Sequence, residues 1–206
     1  MRFPCISEVR AYWEALRDGR AVPYRSEVDP RGIERALEYA FVLERIAPQV
    51  ARFRLAGMHL NDLMGMEVRG MPLTAFFTPK ARREIAGLLD AVFTGPRTAE
   101  LTLAAESGLG KPTMAAKLLI LPLRSDLGDV SRALGCLAAE GPIGRTPRRF
   151  DLVESLVSPI AESLPSRRVP PVPAPTGFAE PAAPFAGAAP QPVRSRGHLR
   201  LVVSDE

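Results

Sequence analysis

The spacing of apolar residues changes within residues 53–77, and the change predicts a strand followed by short helical turns. Phe53 and Leu55 are apolar while Arg52 and Arg54 are polar, an alternation typical of a strand. Three glycines then divide the stretch into short segments: Gly57, Gly65 and Gly70. Because single helical turns are unstable alone in water, this pattern predicts turns packed over the face of a sheet.

Longer helical spacing appears on both sides of that stretch. Residues 7–18 carry an apolar stripe that predicts an amphipathic helix capped by Ser7, and the stripe consists of Val9, Tyr12, Trp13 and Leu16. We expect it to pack on the chain's own sheet, and a dimer contact is the alternative. Asp29-Pro30 and Thr78-Pro79 each predict a helix start, the second for a long helix over residues 79–94.

The remaining segments divide into strands, one short helix and a tail. Alternating or continuous apolar runs predict strands over residues 49–56, 98–106, 112–123 and 130–139, whereas residues 41–46 fit either a helix or a strand. Helical spacing after Gly141 predicts a short amphipathic helix from Phe150, Val153, Leu156, Val157 and Ile160. The proline- and alanine-rich stretch that follows lacks enough large apolar side chains to offset its ordering entropy, so we expect disorder.

A family resemblance rests on two sequence segments and on Asn61, which lies between them. The segments are Arg52-Phe53-Arg54-Leu55-Ala56-Gly57 and Gly65-Met66-Glu67-Val68-Arg69-Gly70. They resemble the PAS domain, and more closely a branch of stand-alone bacterial PAS-type sensory proteins of uncharacterised function. The resemblance covers roughly residues 13–140. It implies an α+β fold, in which a five-stranded antiparallel sheet carries short helices and one long helix on one face. It also favours a strand over residues 40–47.

These expectations divide the chain into five parts. Flanking helices occupy residues 1–39, and the PAS-like domain occupies residues 40–140. A short amphipathic segment covers 141–164, a disordered tether covers 165–197, and a β-like motif covers 198–206. We expect no recognisable output domain after residue 141.

Amino-acid composition and charge exclude several classes of protein but do not identify a partner. No run approaches the roughly 18 apolar residues of a membrane span, and acidic and basic residues interrupt the N-terminus before a secretory signal could form. Cys5 and Cys136 are the only cysteines, which predicts a reduced, cytoplasmic protein. The formal net charge of +4 is spread evenly along the chain, so a nucleic-acid partner is not favoured.

Catalytic and cofactor constellations are missing from the sequence. No glycine-rich phosphate loop links a strand to a helix, and the two cysteines and two histidines lack metal-ligand spacing, so we expect neither an enzyme nor a metal site. Haem-binding domains of the resembled family place a histidine on the long helix, and residues 79–94 have none. Its flavin-binding light sensors need a cysteine that Met58 to Phe77 lacks, and His59 is interpreted as a solvated or core residue. We therefore expect no cofactor.

Two sets of residues are candidates for binding. Methionines cluster near the short turns, and they favour either core packing or a cavity for a small apolar ligand. The predicted cavity residues are Leu60, Met64, Met66, Leu73 and Phe76. The predicted interaction residues are Tyr12, Trp13 and Leu16 in the first helix, and Leu199, Leu201 and Val203 in a terminal β-like hexapeptide that could add to a sheet edge.

The sequence therefore predicts a non-catalytic PAS-type signalling or adaptor protein. It would act by binding signalling proteins, with a small apolar ligand as a modulator and a homodimer as a further option. A dedicated small-ligand receptor and a nucleic-acid-binding or transcriptional regulator are the alternatives.

Overall fold

The computed structural model describes residues 3–160, in which six antiparallel strands form a sheet. The strands are β1 (Ala40–Ala47), β2 (Val50–Ala56), β3 (Arg97–Ala105), β4 (Ala115–Arg124), β5 (Val130–Glu140) and β6 (Phe150–Pro159). The first five confirm the predicted strands, including the choice of a strand over residues 41–46. The fold is therefore α+β with a PAS-like sheet, but with six strands where five were predicted.

The order of strands in the sheet is β2-β1-β5-β4-β3-β6. This order places β1 between β2 and β5, and the register aligns two rows of side chains across these three strands. Val42 lies opposite Leu55 and Leu134, and Glu44 lies opposite Arg52 and Arg132. Because alternate residues of a strand share a face, the rows lie on one face of the sheet, about 7 Å apart.

The other face of the sheet carries the short helices and the long helix, as predicted. These are α2 (Met58–Met64), a 3₁₀ turn (Leu73–Phe76) and α3 (Arg82–Thr94). The long helix begins at Arg82, three residues after the predicted start, and residues 79–81 form a turn before it. Aromatic rings fill the space beneath these elements: the centroid of Phe53 lies 5.3 Å from those of both Phe41 and Phe76.

Helix α1 (Pro4–Arg17) covers the face that carries the two rows, packing on β4 and β5. It begins at Pro4 without a side-chain cap, so the predicted start at Ser7 was wrong; proline needs no N–H partner in a first helical turn. Trp13 is fully buried, and its indole N–H donates to the Pro122 carbonyl at 2.9 Å. The apolar stripe therefore packs on the chain's own sheet, as expected.

The segment after Asp29 is a 3₁₀ turn, Pro30–Ala36, and not the longer helix that its spacing predicted. Asp29 does cap it, accepting the Arg31 N–H at 3.0 Å. The backbone of Ile33 is non-helical and interrupts the helical path. Gly32 lies so close to the Tyr12 ring that a Cβ there would meet it at 2.2 Å. Packing beneath α1 thus sets the path of this segment.

The strand β6 replaces the short helix predicted for residues 150–160. It pairs antiparallel with the outer edge of β3, whose backbone groups would otherwise lack partners on that side. Phe150 is fully buried, whereas Val153 and Leu156 are 63% and 61% exposed. The apolar residues therefore lie on both faces of a strand, and the sheet continues past the predicted domain limit at residue 140. The predicted tether and terminal motif lie outside the described residues.

Candidate functional site

An apolar groove of about 270 Å³ opens on the α1 face of the sheet, between the Pro30–Ala36 turn and the hairpin of β1 and β2. The row formed by Val42, Leu55 and Leu134 contributes to its floor. The preceding loop and the turn supply the wall: Val28, Pro30, Ile33 and Leu37. The floor of the groove therefore consists of sheet side chains. Its wall is the Pro30–Ala36 turn and the loop before it, and α1 packs against this turn.

A β-bulge places Leu55 in this groove. Val42 pairs with Leu55 and the next residue, Leu43, pairs with Phe53, so Arg54 is an extra residue in β2. Without the bulge, Leu55 would share the face of Phe53, which is buried in the core. With it, Leu55 turns to the opposite face and is 53% exposed. The predicted alternation of residues 52–55 is thus broken at Arg54.

Exposed apolar side chains surround the groove. Leu37 and Leu55 line it directly, and Met58 lies in an adjoining depression that shares Leu37, Ala56 and Gly57 with it. Leu37, Leu55 and Met58 are all well exposed. Contiguous apolar surface on a soluble domain marks a binding surface more often than isolated exposed residues do.

An arginine row lies beside the groove, consisting of Arg52, Arg54 and Arg132 around the Glu44 carboxylate. The Arg52 Nη2 and Arg54 Nε atoms lie 3.0 and 3.3 Å from Glu44 Oε2, and Arg132 pairs with Oε1. Burial opposes ionisation of Glu44, but hydrogen bonds from Arg52 and Arg132 outweigh it and hold its pKa below the usual value. Three positive groups against one negative group leave the row with a charge of +2.

The predicted cavity residues lie elsewhere. Leu60, Met64, Leu73 and Phe76 are buried in the core between the sheet and the short helices, where they pack against other side chains. Met66 is 59% exposed and so contributes nothing to an internal cavity. The site that the structure offers to an apolar partner is the groove. The sequence pattern had placed one of its residues, Leu55, on the face of Phe53, which is the wrong face.

The predicted interaction residues of the first helix are engaged within the chain. The Tyr12 hydroxyl donates to the Asp29 carbonyl at 3.1 Å and accepts the Asp29 N–H at 2.7 Å. Trp13 is buried and Leu16 is partly buried. Leu199, Leu201 and Val203 lie outside the described residues.

His59 belongs to α2 and contacts the sheet. Its Nε2 accepts the Ala139 N–H at 3.2 Å, and its ring meets Tyr39 edge-on at 4.8 Å. Burial lowers the pKa of this imidazole, against the opposing charges of Glu38 and Asp62. Within residues 3–160, no three His, Cys, Asp or Glu side chains converge as a metal site would require. Nor does that part of the chain include a helix with the length and apolar character of a membrane span.

Comparisons with known proteins identify a family and distantly similar solved structures. A family model described as a PAS domain matches residues 1–138. Among solved structures, the chain is similar to "The light state structure of the blue-light photoreceptor Aureochrome1 LOV", with a TM-score of 0.38 and 13% identity. That match covers 54% of this chain and 88% of the other. No curated protein matches the chain.

Proposed function

The chain belongs to the PAS domain family, and on that basis we propose that it is a non-catalytic signalling or adaptor protein that binds a partner protein through the apolar groove. Membership of the family points to a sensory or signalling role. The observation that carries the more specific proposal is the outward position of Leu55, since a bulge in β2 takes this leucine out of the core and leaves it exposed. An exposed leucine beside a groove is suited to receive an apolar side chain of a partner.

The arginine row gives the groove a second property useful in recognition. Its net charge of +2 lies about 7 Å from the apolar floor, a distance that one segment of a partner can span. Charge beside an apolar contact contributes to the rate of association and to specificity. We therefore propose a partner surface that presents apolar side chains next to carboxylates.

Substitution of Leu55 tests this function. We expect Leu55→Glu to abolish co-purification of partners from the native cell, because a carboxylate would have to be buried in the groove. Leu127→Glu is the matched control, since Leu127 is 95% exposed in the turn between β4 and β5 and lies outside the groove. Quantitative mass spectrometry of crosslinked complexes provides the measurement. Equal recovery of every partner with both variants would contradict the proposal.

A small apolar ligand in the same groove is the second candidate function. About 270 Å³ is slightly below the usual range of about 300–1,000 Å³ for small-molecule sites, and most of the lining is apolar. Arg25 lies at the groove and makes no hydrogen bond or ion pair with residues 3–160 through its side chain, so its guanidinium is open to a ligand carboxylate. Native mass spectrometry of the protein purified from its own cell would detect such a ligand as an added mass that Leu55→Glu removes.

A further inference from the structure

The two cysteines of the sequence lie in one buried cluster of the folded chain. Cys5 lies in the first turn of α1, and Cys136 lies in β5, on the sheet face that α1 covers. Both thiols are free and buried, and both belong to the cluster of side chains that packs α1 on the sheet. The packing of α1 therefore brings together two reactive groups that are far apart in sequence.

The two thiols differ in access to solvent. Cys136 has no exposed surface, whereas Cys5 is 8% exposed and lines a surface pocket of about 470 Å³. The charged and polar side chains that face this pocket are Glu8, Arg35, Glu38, Tyr39 and Glu140. A small polar oxidant entering the pocket would therefore meet the sulfur of Cys5 and not that of Cys136.

The thiols also differ in acidity. The hydrogen bond with Cys136, which outweighs burial, lowers the pKa of Cys5 to about 7, and backbone N–H groups of the first helical turn contribute in the same direction. The same bond, together with burial, raises the pKa of Cys136 above its usual value. Of the two thiols, Cys5 is therefore the one that ionises more readily. This is the division of properties required of an attacking cysteine and a resolving cysteine.

We propose that Cys5 and Cys136 are a redox-sensing pair, which a hydroperoxide converts into an intramolecular disulfide. The Cys5 thiolate attacks one peroxide oxygen, the O–O bond breaks, and Cys5 becomes a sulfenic acid while the other oxygen leaves as hydroxide or alkoxide and takes up a proton. The sulfur of Cys136 then displaces the sulfenic hydroxyl, which leaves as water with the Cys136 proton. The two sulfurs together lose two electrons, and these reduce the peroxide.

The disulfide would join the start of α1 to β5 and close a loop that spans most of the described chain. Such a link restricts the unfolded chain and so stabilises the folded one. It would also fix α1, whose contact with the Pro30–Ala36 turn sets the wall of the apolar groove. Oxidation would thereby act as a signal to the binding surface. That signalling role rests on the proposed function, whereas the chemistry of the cysteine pair is independent of it.

The test uses the full chain, reduced and then treated near pH 7 with about one equivalent of hydrogen peroxide. We expect the intact mass to fall by two hydrogen atoms and a peptide map to show a Cys5–Cys136 crosslink. The melting temperature should rise, and dithiothreitol should reverse all three changes. No variant and no partner is needed, so failure here is separate from failure of the Leu55 experiment, which is run on reduced protein.

Two variants assign the roles of the thiols. Cys136→Ser should accumulate a sulfenic acid on Cys5 that dimedone traps, whereas Cys5→Ser should leave Cys136 unmodified. Thermal melts of both reduced variants show whether they fold, and the wild-type peptide map decides the matter if either does not. The proposal is overturned if the wild-type chain remains reduced, forms only disulfides between chains, or oxidises each cysteine separately to a sulfinic acid. Modification of Cys136 ahead of Cys5 would overturn the assigned order.

Discussion

At the scale of single residues, Arg148 has an unusual environment. It is fully buried, and within residues 3–160 no carboxylate pairs with it. Its guanidinium donates instead to three backbone carbonyls, those of Ile143, Glu106 and Pro112. The side chain thus ties the loop before β6 to the hairpin of β3 and β4, with carbonyl dipoles in place of a counter-ion.

Replacing this arginine should be costly. We expect Arg148→Met to lower the free energy of unfolding by roughly 3 kcal/mol, because it leaves three partly buried carbonyl groups without a donor. Arg83→Met, on the exposed side of α3, is the control and should change stability by less than about 0.5 kcal/mol. Urea denaturation of both variants measures the difference. Equal stability would show that water or another donor can replace Arg148.

The buried imidazole of His59 should make stability depend on pH. Its pKa in the folded chain is below the ordinary value of 6.5, so the unfolded chain binds a proton at a higher pH than the folded chain does. Stability should therefore fall as pH drops below about 6.5, and the fall should end below the folded pKa. His59→Gln can still accept the Ala139 N–H and should lack this component of the pH dependence. Identical pH profiles for the two proteins would refute the assignment.

At the scale of elements, the apolar pattern of residues 150–160 fits two structures, the predicted helix and the observed strand β6. As a helix, residues 150–160 would place Phe150 and Leu156 on a single face. As a strand paired with β3, they place Phe150 in the core and Leu156 in solvent. Two alanine substitutions distinguish these outcomes.

We expect Phe150→Ala to reduce stability by about 3–5 kcal/mol, as deletion of a buried aromatic side chain does. Leu156→Ala should reduce it by less than about 0.5 kcal/mol, because most of that side chain is already exposed. Chemical denaturation provides both values. Comparable losses for the two variants would favour the shared face of a helix.

The sequence predicted elements well where one spacing fitted one structure. The alternating run over residues 98–106 and the stripe around Trp13 are examples. It failed where packing or register decides the outcome. The spacing of residues 150–160 fits a helix, and only the open edge of β3 selects a strand. The bulge at Arg54 leaves no mark in the apolar pattern, so the outward turn of Leu55, and with it the apolar groove, could not be predicted.

At the scale of the whole molecule, the sheet is covered on both faces, and its central strands are the most protected. Residues 118–123 of β4 and 133–138 of β5 are all buried, whereas half of the residues of the edge strand β6 are exposed and only Phe150 is buried. Protection of this kind raises the free energy of local opening toward that of global unfolding. The edge strands β2 and β6 should therefore open locally while the central strands β4 and β5 stay folded.

Native-state hydrogen exchange tests this gradient. We expect the slowest amides in β4 and β5, with exchange that requires global unfolding, and faster average exchange in β2 and β6. The measurement is the opening free energy of each amide at low denaturant. Equal protection of β6 and β5 would indicate that the edge strand opens only with the whole sheet.

The position of β1 between β2 and β5 has a consequence for synthesis of the protein. When residues 40–56 leave the ribosome, one edge of β1 has no partner until residues 130–140 follow. Phe41 and Phe53 must wait as long for the full core that buries them. Pairings between distant segments slow folding and prolong the exposure of apolar surface. The nascent chain therefore carries an open strand edge and two incompletely buried aromatic rings until residues 130–140 have been made, and in that period binding of a chaperone would protect its apolar surface.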